Sequence, residues 1–233
     1  MTVHALVPVK SLAQAKQRLR GCLTPAQRHA LAAHMLLDVL QVLAQVRGLG
    51  RLGGVWVVTA DAEVATLAGR CGATVLAERG ADGLNAAVGQ GARWLQAQGA
   101  AGMLVLPSDV PGVTAGELDA VLRMHRCGRA MTLVPSRDGD GTNALLLTPA
   151  TALRPAYGTG SCARHRLAGH AVGLAPRVVE LPGLGLDLDH PHDLHAFVAR
   201  YPTTRTGRIL GALGAHLPPR CVTSKGAEHH DVP

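Results

Sequence analysis

An aspartate after a buried strand is the residue of this chain best placed to do chemistry. Residues 103–106 are four consecutive apolar residues, which predicts a strand buried on both faces, and Pro107 ends it. Asp109 then lies at the strand's carboxyl end, the edge of an open α/β sheet where ligands bind. Its carboxylate either holds a cation or closes an Asx turn, and this segment alone leaves both interpretations open.

Two further aspartates alternate along an apolar segment near residue 190. Residues 184–188 are predicted to form a short terminal strand, and Asp187 and Asp189 then share one face because side chains alternate across a strand. Three histidines follow without the spacing of a metal site, and they are predicted to be cap and surface residues: His190, His192 and His195.

Three cations follow the first predicted strand, residues 3–9. Lys10, Lys16 and Arg18 come just past its carboxyl end, where α/β proteins usually hold phosphates. A solvated basic loop is the alternative. Neither G-x-x-x-x-G-K-[ST] nor G-x-G-x-x-G occurs there, so a P-loop is excluded. The choice between phosphate binding and solvation stays open.

Glycine-punctuated polar segments lie beside other predicted elements. Residues 80–87 include Asp82, Gly83 and Asn85, and an aspartate can accept hydrogen bonds from the N1–H and amino groups of guanine. A turn with a helix N-cap is the alternative. Residues 136–143 are either a plain hairpin loop or a ligand-binding loop, because polar groups crowd there beside a buried strand.

A glycine-rich turn before a predicted helix offers an anion site. Residues 157–161 precede a helix predicted over residues 162–173, so main-chain amides at its N-terminus can bind an anion, with Ser161 as cap and donor. Arg164 and His165 in the first turn are poor partners for the helix dipole. They are good partners for an anion bound there.

The order of the predicted elements brings these segments to one edge of a sheet. Capping boxes at Thr24 and Thr114 begin two helices, and Asp61 caps a third. Short apolar strands lie between them, and the β-α-β-α-β rhythm predicts a mainly parallel sheet. The length suits one α/β domain, residues 1–201, followed by a basic and mobile tail, residues 202–233.

Composition limits the classes of partner. The net charge is +7, with five Lys and Arg against two Asp and Glu in residues 200–233. One Phe, two Tyr and two Trp are too few for a base-stacking groove, which makes nucleic acid a poor candidate partner. Five cysteines without a C-x-x-C pair indicate a reducing compartment. With no run of about 18 apolar residues, we expect a soluble cytoplasmic protein with no membrane partner.

Six segments, in order and at suitable spacing, resemble the 2-phospholactate guanylyltransferase family of coenzyme F420 biosynthesis. They are VPVKSLAQAKQRL, DGLNAAV, LPSDVP, SRDGDGTNALLL, YGTGSCARH and LDLDHPHDL, and the resemblance covers about residues 3–198. It implies a three-layer α/β/α sandwich with a mixed, mostly parallel sheet, like that of the nucleotide-diphospho-sugar transferases. It also implies GTP and a small phosphorylated acid (2-phospholactate, phosphoenolpyruvate or 3-phosphoglycerate) as substrates.

The resemblance also implies roles for particular residues. Asp109 and Asp189 are similar to the family's Mg²⁺ (or Mn²⁺) carboxylates, with Asp187 as a third, while Lys16, Arg18 and Asp109 are expected to be catalytic. The nucleotide is expected at Lys10, Lys16, Arg18, Asp82, Gly83 and Asn85. The acid is expected at Thr142, Asn143, Gly158, Ser161 and Arg164. Two residues depart from the family pattern: Asp140, where Gly is usual, and His190, where Thr is usual.

The implied reaction is attack by a phosphate oxygen of the acid on the α-phosphorus of GTP, with pyrophosphate leaving. A homodimer and a complex with the downstream transferase of the pathway are both compatible with the resemblance. Two alternatives stay open. One is another nucleotidyltransferase of the same fold, such as a molybdopterin guanylyl- or cytidylyltransferase. The other is a non-catalytic nucleotide- or nucleic-acid-binding module that uses the basic tail.

Overall fold

One sheet forms the centre of the computed structural model, which describes residues 2–78, 80 and 83–214. Within these residues the strands are β1 (Val3–Pro8), β2 (Gly54–Thr59), β3 (Thr74–Ala77), β4 (Gly102–Val105), β5 (Ala130–Pro135), β6 (Thr142–Thr148) and β7 (Arg177–Val178). Their order across the sheet is β3-β2-β1-β4-β6-β5-β7. β1 to β4 run parallel, β6 is antiparallel to both β4 and β5, and β7 is parallel to β5. The expectation of a mostly parallel, mixed sheet is confirmed.

Helices cover both faces of this sheet. In the described residues they are α1 (Pro25–Gly48), α2 (Ala62–Arg70), α3 (Leu84–Ala97), α4 (Ala115–Met124), α5 (Ser161–Ala171), α6 (Pro191–Arg200) and α7 (Arg205–Ala212), with a 3₁₀ turn at Gln17–Leu19. The predicted caps are confirmed: Thr24 and Thr114 make capping boxes, and Asp61 accepts hydrogen bonds from the first turn of α2.

Alternating side chains along each strand divide the core into two layers. Ala5 and Val7 of β1 belong to the cluster that packs under α1, α2, α4, α6 and α7, whereas Leu6 belongs to the cluster under α3 and α5. Gly91 of α3 lets that helix approach the sheet closely, since a Cβ there would lie 2.5 Å from a methyl group of Leu6. The arrangement is the expected three-layer α/β/α sandwich.

Helix α1 is the long core helix of the first layer. By length and composition alone it could cross a membrane, but half of that stretch is buried inside the protein. Its stripe of buried residues, from Leu31 to Val46, packs against the sheet and the neighbouring helices. Packing in the core therefore accounts for its apolar composition.

Two predictions near residues 161 and 184–188 are wrong in detail. Helix α5 begins at Ser161 itself, and Gly160, with φ of +68°, occupies the cap position that we expected for Ser161. Residues 184–188 form no strand. Gly185 instead closes a turn onto the carbonyl of Leu181, and Leu188 makes a single main-chain bond to the carbonyl of Asp109, 3.1 Å away. One bond is enough to place the segment but not to form a ladder.

The first part of the predicted tail is ordered. Helix α7 packs on α1 and α6. Asp38 of α1 accepts hydrogen bonds from the main-chain N–H groups of Arg205 and Thr206, and Leu210 is fully buried. Residues 205–212 of the predicted tail thus form a helix that packs on the domain, and residues 215–233 lie outside the described residues. The residue at which the tail begins remains a prediction.

Candidate functional site

A buried lysine joins two aspartates at the carboxyl edge of the sheet. Lys16 follows β1, Asp109 follows β4 and Asp189 precedes α6. The Lys16 Nζ lies 3.1 Å from Asp109 Oδ2 and 2.8 Å from Asp189 Oδ1, and the lysine side chain is only 7% exposed. Burial alone would lower the pKa of Lys16, but the two carboxylates outweigh it and raise that pKa. The ammonium group is therefore charged and held in place.

The backbone at Lys16 also has an uncommon conformation. Its φ of +54° is in the left-handed region, which non-glycine residues adopt rarely. Lys16 is the N-cap of the 3₁₀ turn at Gln17–Leu19. Arg18 in that turn reaches back to Asp189, with Nη1 2.9 Å from Oδ2, while 66% of its side chain stays exposed. Arg18 can therefore contact a ligand.

The segment that carries Asp189 is held by a third aspartate. Asp193 Oδ2 accepts hydrogen bonds from the main-chain N–H groups of Asp189, at 3.2 Å, and His190, at 2.7 Å. Its Oδ1 accepts from Arg137 Nη2, 2.8 Å away. The sequence interpretation did not identify Asp193 or Arg137, although His190-Pro191-His192-Asp193 has the form of a helix start with an acidic residue in its first turn. His190 is the N-cap of α6, as predicted.

Asp187 carries negative charge that its surroundings do not neutralise. Burial first, and then the charge of Asp109, raise the pKa of the Asp187 carboxyl group. A neutral partner is the Asn143 amide, whose Nδ2 donates to Asp187 Oδ1 at 3.2 Å and to the Leu184 carbonyl at 2.9 Å. The pKa of Asp189, in contrast, is lowered, because Lys16 and Arg18 outweigh the effect of its burial.

The donor types suit a hard divalent cation, although no ready-made cage exists. Across the described ranges, no three His, Cys, Asp or Glu side chains surround one point as metal ligands. Asp109, Asp187 and Asp189 nevertheless line one cavity of about 440 Å³ and supply the carboxylate oxygens that Mg²⁺ prefers. Lys16 stands between two of these carboxylates, where its ammonium group supplies positive charge. A cation beside Asp187 would offset the repulsion between its charge and that of Asp109.

Four of the five residues predicted to bind the acid, all but Arg164, line the same cavity. Thr142 and Ser161 face each other there, with their hydroxyl oxygens 3.2 Å apart, and Gly158 lies on the adjoining turn. Arg164 lies beside that turn, since a Cβ at Gly158 would come within 2.9 Å of its guanidinium group. The structure thus brings these four residues together, whereas Asn143 turns its amide nitrogen toward Asp187.

A carboxylate of the chain already occupies part of the predicted anion site. Asp140 Oδ2 accepts a hydrogen bond from the main-chain N–H of Gly160, 2.9 Å away, at the start of α5. The Asp140 carbonyl accepts from the N–H of Cys162 at 3.0 Å. An incoming anion would therefore bind mainly to the side chains of the cavity, and less to the main-chain N–H groups at the start of α5.

The predicted nucleotide residues divide into two groups. Lys10, Lys16 and Arg18 line a second cavity of about 430 Å³, which adjoins the first at Asp109 and Asp189. Gly83, with φ of +87°, lies next to Lys10. Both ends of the Asn85 amide instead bind the main chain of Tyr157, Oδ1 at 2.7 Å from its nitrogen and Nδ2 at 3.1 Å from its oxygen. Asp82 lies outside the described residues.

Comparisons with known proteins show the family of this chain. The family model described as "Guanylyl transferase CofC like" matches residues 3–226. The chain is 38% identical over 208 residues to the phosphoenolpyruvate guanylyltransferase of Conexibacter woesei, covering 89% of this chain and 92% of the relative. It is 39% identical over 212 residues to the 3-phospho-D-glycerate guanylyltransferase of Phenylobacterium zucineum, covering 90% and 96%.

Solved structures share the fold. A protein from Desulfovibrio desulfuricans assigned to the nucleotide-diphospho-sugar transferases superposes with a TM-score of 0.72 at 16% identity, covering 93% of this chain and 97% of that one. A nucleotidyl transferase from Methanothermobacter superposes with a TM-score of 0.62 at 17% identity, covering 84% and 95%. These likenesses confirm the architecture predicted from the sequence.

Proposed function

Because this chain belongs to the family of CofC-like guanylyl transferases, we propose that it joins GMP from GTP to a small phosphorylated acid and releases pyrophosphate. The candidate acids are phosphoenolpyruvate and 3-phosphoglycerate, which the names of the relatives indicate, and 2-phospholactate. One observation carries the proposal. Lys16 bridges Asp109 and Asp189, which line both cavities. It therefore lies where the cavity that contains Lys10 adjoins the cavity that contains Thr142 and Ser161.

The two cavities suit the two substrates. Lys10, Lys16 and Arg18 can bind the triphosphate of GTP in one. In the other, the Thr142 hydroxyl can donate to an anionic group of the acid, with Ser161 beside it. The phosphate of the acid and the α-phosphate of GTP can then meet near Asp109. A phosphate oxygen of the acid bonds to the α-phosphorus as the bond to pyrophosphate breaks.

This reaction needs no general base on the protein. The second pKa of a phosphate monoester is about 6, so the attacking oxygen is already ionised at neutral pH. The residues act by positioning the reactants and neutralising charge, and Lys16 and Arg18 stabilise the charge that grows on the leaving pyrophosphate. Asp109, Asp187 and Asp189 would hold Mg²⁺ or Mn²⁺, which supplies further charge neutralisation when bound.

The cellular setting follows from the same proposal. We infer a role in coenzyme F420 biosynthesis in the cytoplasm, where the guanylylated acid passes to a downstream transferase. Its phosphoanhydride bond to GMP makes it an activated donor, so an enzyme that displaces GMP is the expected consumer.

Product analysis tests the activity directly. Purified protein is incubated with GTP, Mg²⁺ and each of the three acids, and mass spectrometry follows the products while pyrophosphate is measured in parallel. We expect one acid to give its guanylyl diester together with an equal amount of pyrophosphate. CTP replaces GTP in a second series. A cytidylyl product, or no product from any acid, would contradict the proposal.

Asp109→Asn tests the site within that assay. The substitution keeps the size of the side chain but removes a charge next to Lys16, and we expect turnover to fall by at least about 100-fold. Asp119→Asn is the control. Asp119 lies on α4, pairs with Arg51 and Arg123, and lines neither cavity. Turnover of the Asp109 variant within about threefold of wild type would remove Asp109 from the mechanism.

A further inference from the structure

A fully buried histidine lies behind the cavity proposed for the acid. His165, in the second turn of α5, has no exposed surface and packs edge-on against the Tyr157 ring, with centroids 4.8 Å apart. Its Nε2 lies 2.9 Å from the main-chain nitrogen of Ala156, and its Nδ1 lies 3.0 Å from Thr142 Oγ1. Both ring nitrogens are therefore engaged, one by the loop before α5 and one by a residue of the cavity.

These two contacts determine where the imidazole proton is. The Ala156 N–H can only donate, so Nε2 must accept and carries no proton. Burial, helped by the charge of Arg164, lowers the pKa of His165 to about 4, so the ring is neutral near pH 7. A neutral ring carries one proton, which is then on Nδ1, and His165 donates it to the hydroxyl oxygen of Thr142.

The direction of that hydrogen bond decides what the cavity can offer a ligand. Thr142 Oγ1 also accepts from Ser161 Oγ at 3.2 Å, and both residues are almost fully buried, at 4% and 2% exposed. With two donors pointing at its oxygen, the Thr142 hydroxyl has its own hydrogen left for a ligand. If the histidine accepted instead, that hydrogen would be used up inside the protein. An anion needs donors, so the tautomer matters.

We propose that His165 is a positioning residue that turns the Thr142 hydroxyl into a hydrogen-bond donor toward an anionic group of the phosphorylated acid, while Ser161 donates to the Thr142 oxygen. The inference rests on the proposed function, because it assigns a role at the cavity where that acid binds. His165 touches neither substrate. It acts through Thr142, and its tautomer is set by the main chain at Ala156.

Asparagine and glutamine separate the two contacts of His165. An Asn amide reaches the place of Nδ1, so His165→Asn keeps a donor to Thr142. A Gln amide reaches the place of Nε2, so His165→Gln keeps an acceptor for Ala156. Each variant loses one of the two hydrogen bonds, which makes the pair matched controls for stability. Phosphoenolpyruvate is the acid used as probe.

The kinetic expectation differs between the two variants. We expect His165→Gln to raise KM for the acid about tenfold, as the loss of one hydrogen bond to a charged ligand would, with KM for GTP within about twofold. We expect His165→Asn to keep KM for the acid within about threefold. Equal increases in both variants, or a parallel increase in KM for GTP, would show a purely structural role and overturn the inference.

A second substitution tests whether the effect passes through Thr142. In a Thr142→Val background the hydroxyl is gone, so adding His165→Gln should change KM for the acid by less than about twofold. Independent, multiplicative effects of the two substitutions would contradict the proposal.

The wild-type protein offers a test that does not depend on folding of any variant. Nitrogen-15 spectra of the assigned histidine should show Nδ1 protonated and Nε2 unprotonated between about pH 6 and 8. A proton on Nε2, or an imidazolium ring in that range, would overturn the inference. If the wild-type protein gave no guanylyl product, the proposed function would be contradicted, whereas the tautomer measured by NMR would be unaffected.

Discussion

Charge at the candidate site is unevenly shared among its residues. Lys16 and Arg18 both pair with Asp189, and Lys16 also pairs with Asp109, while the side-chain partner of Asp187 is the neutral Asn143 amide. Three carboxylates therefore face two cations. Because Lys16 is already fixed between two carboxylates, its side chain loses little further conformational entropy when a triphosphate binds. This is the advantage of a preorganised site.

Asp187→Asn should make the protein more stable and less active. Since the pKa of Asp187 is raised, its contribution to stability is complete below the ordinary value near 4 and is lost as pH rises through the raised value. Asparagine removes that loss at neutral pH, by about 1 kcal/mol in the free energy of unfolding. Urea unfolding without divalent cations, between about pH 4 and 8, should show a gain that disappears at the acid end.

Asp138→Asn is the control of opposite sign for that measurement. The hydroxyl of Ser136, and then the Asp140 N–H, lower the pKa of Asp138, so its stabilising contribution is present at neutral pH and is lost as pH falls through the lowered value. Its replacement should therefore reduce stability at neutral pH. A gain for both variants, or for neither, would contradict this account of the charges.

Two helices hold the loop that carries Gly158. Asn85 at the start of α3 binds both main-chain polar groups of Tyr157, and His165 of α5 binds the Ala156 N–H. The loop contains no helix or strand, so its position depends on these side chains. The start of α3 thus connects the region expected to bind nucleotide with the cavity proposed for the acid.

Asn85→Ala distinguishes this clamp from the predicted role in binding nucleotide. Loss of two hydrogen bonds to the loop should raise KM for the acid about tenfold, with KM for GTP within about threefold. Gln98→Ala, at the exposed far end of the same helix, is the control. Should KM for GTP rise while KM for the acid stays unchanged, Asn85 would be a nucleotide ligand and not a clamp.

Helix α7 depends on a carboxylate from the opposite end of the chain. Asp38 is buried and accepts two main-chain hydrogen bonds at the N-terminus of α7, where a negative charge also interacts favourably with the helix dipole. Asp38→Ala leaves those N–H groups without a partner and should lower the free energy of unfolding by about 2 kcal/mol.

Thr204→Ala provides the comparison for that substitution. Thr204 caps the same helix through one hydrogen bond to Gly207 N–H, so its loss should cost about 1 kcal/mol. Guanylyl transfer per folded molecule should be unchanged in both variants, because α7 lines neither cavity. An Asp38 variant as stable as wild type would show that packing alone holds α7 in place.

At the scale of the whole molecule, the sheet edge gathers residues from three distant parts of the chain. Lys16 lies 93 residues from Asp109 and 173 from Asp189 along the sequence. β1 and β4 are adjacent and parallel, which places the segments after them side by side, and the Leu188 main-chain bond to Asp109 brings in the third part. The site therefore requires the complete sandwich.

Removing residues 215–233 should leave the enzyme intact. The deletion retains α7 and both cavities, so turnover and KM for GTP should stay within about twofold of wild type. A nucleic-acid-binding function of the basic tail would instead show lost, strongly salt-dependent binding of DNA or RNA. Deletion from residue 203 is not equivalent, because it removes the buried Leu210 and should destabilise the domain.

Local patterns in the sequence determined the elements and their caps. Thr24, Asp61 and Thr114 cap helices by hydrogen bonds that span only two or three residues, and the alternation along β1 needs only its own neighbours. The resemblance added Thr142, whose hydroxyl oxygen the structure places 3.2 Å from that of Ser161. The role of both residues in binding the acid stays a prediction. The predictions of elements and caps were confirmed because the interactions behind them lie within short stretches.

Only the tertiary structure decided which groups are left free to act. Asn85 is engaged by Tyr157, Asp38 by α7 and Asp140 by Gly160, while Lys16 is held between two aspartates at the edge of a cavity, and each partner is remote in sequence. A side chain's hydrogen-bonding capacity is visible in the sequence, but its partner is set by packing, since no periodicity relates residues so far apart. The tautomer of His165 is decided in the same way, by an amide and a hydroxyl that meet only in the folded sandwich.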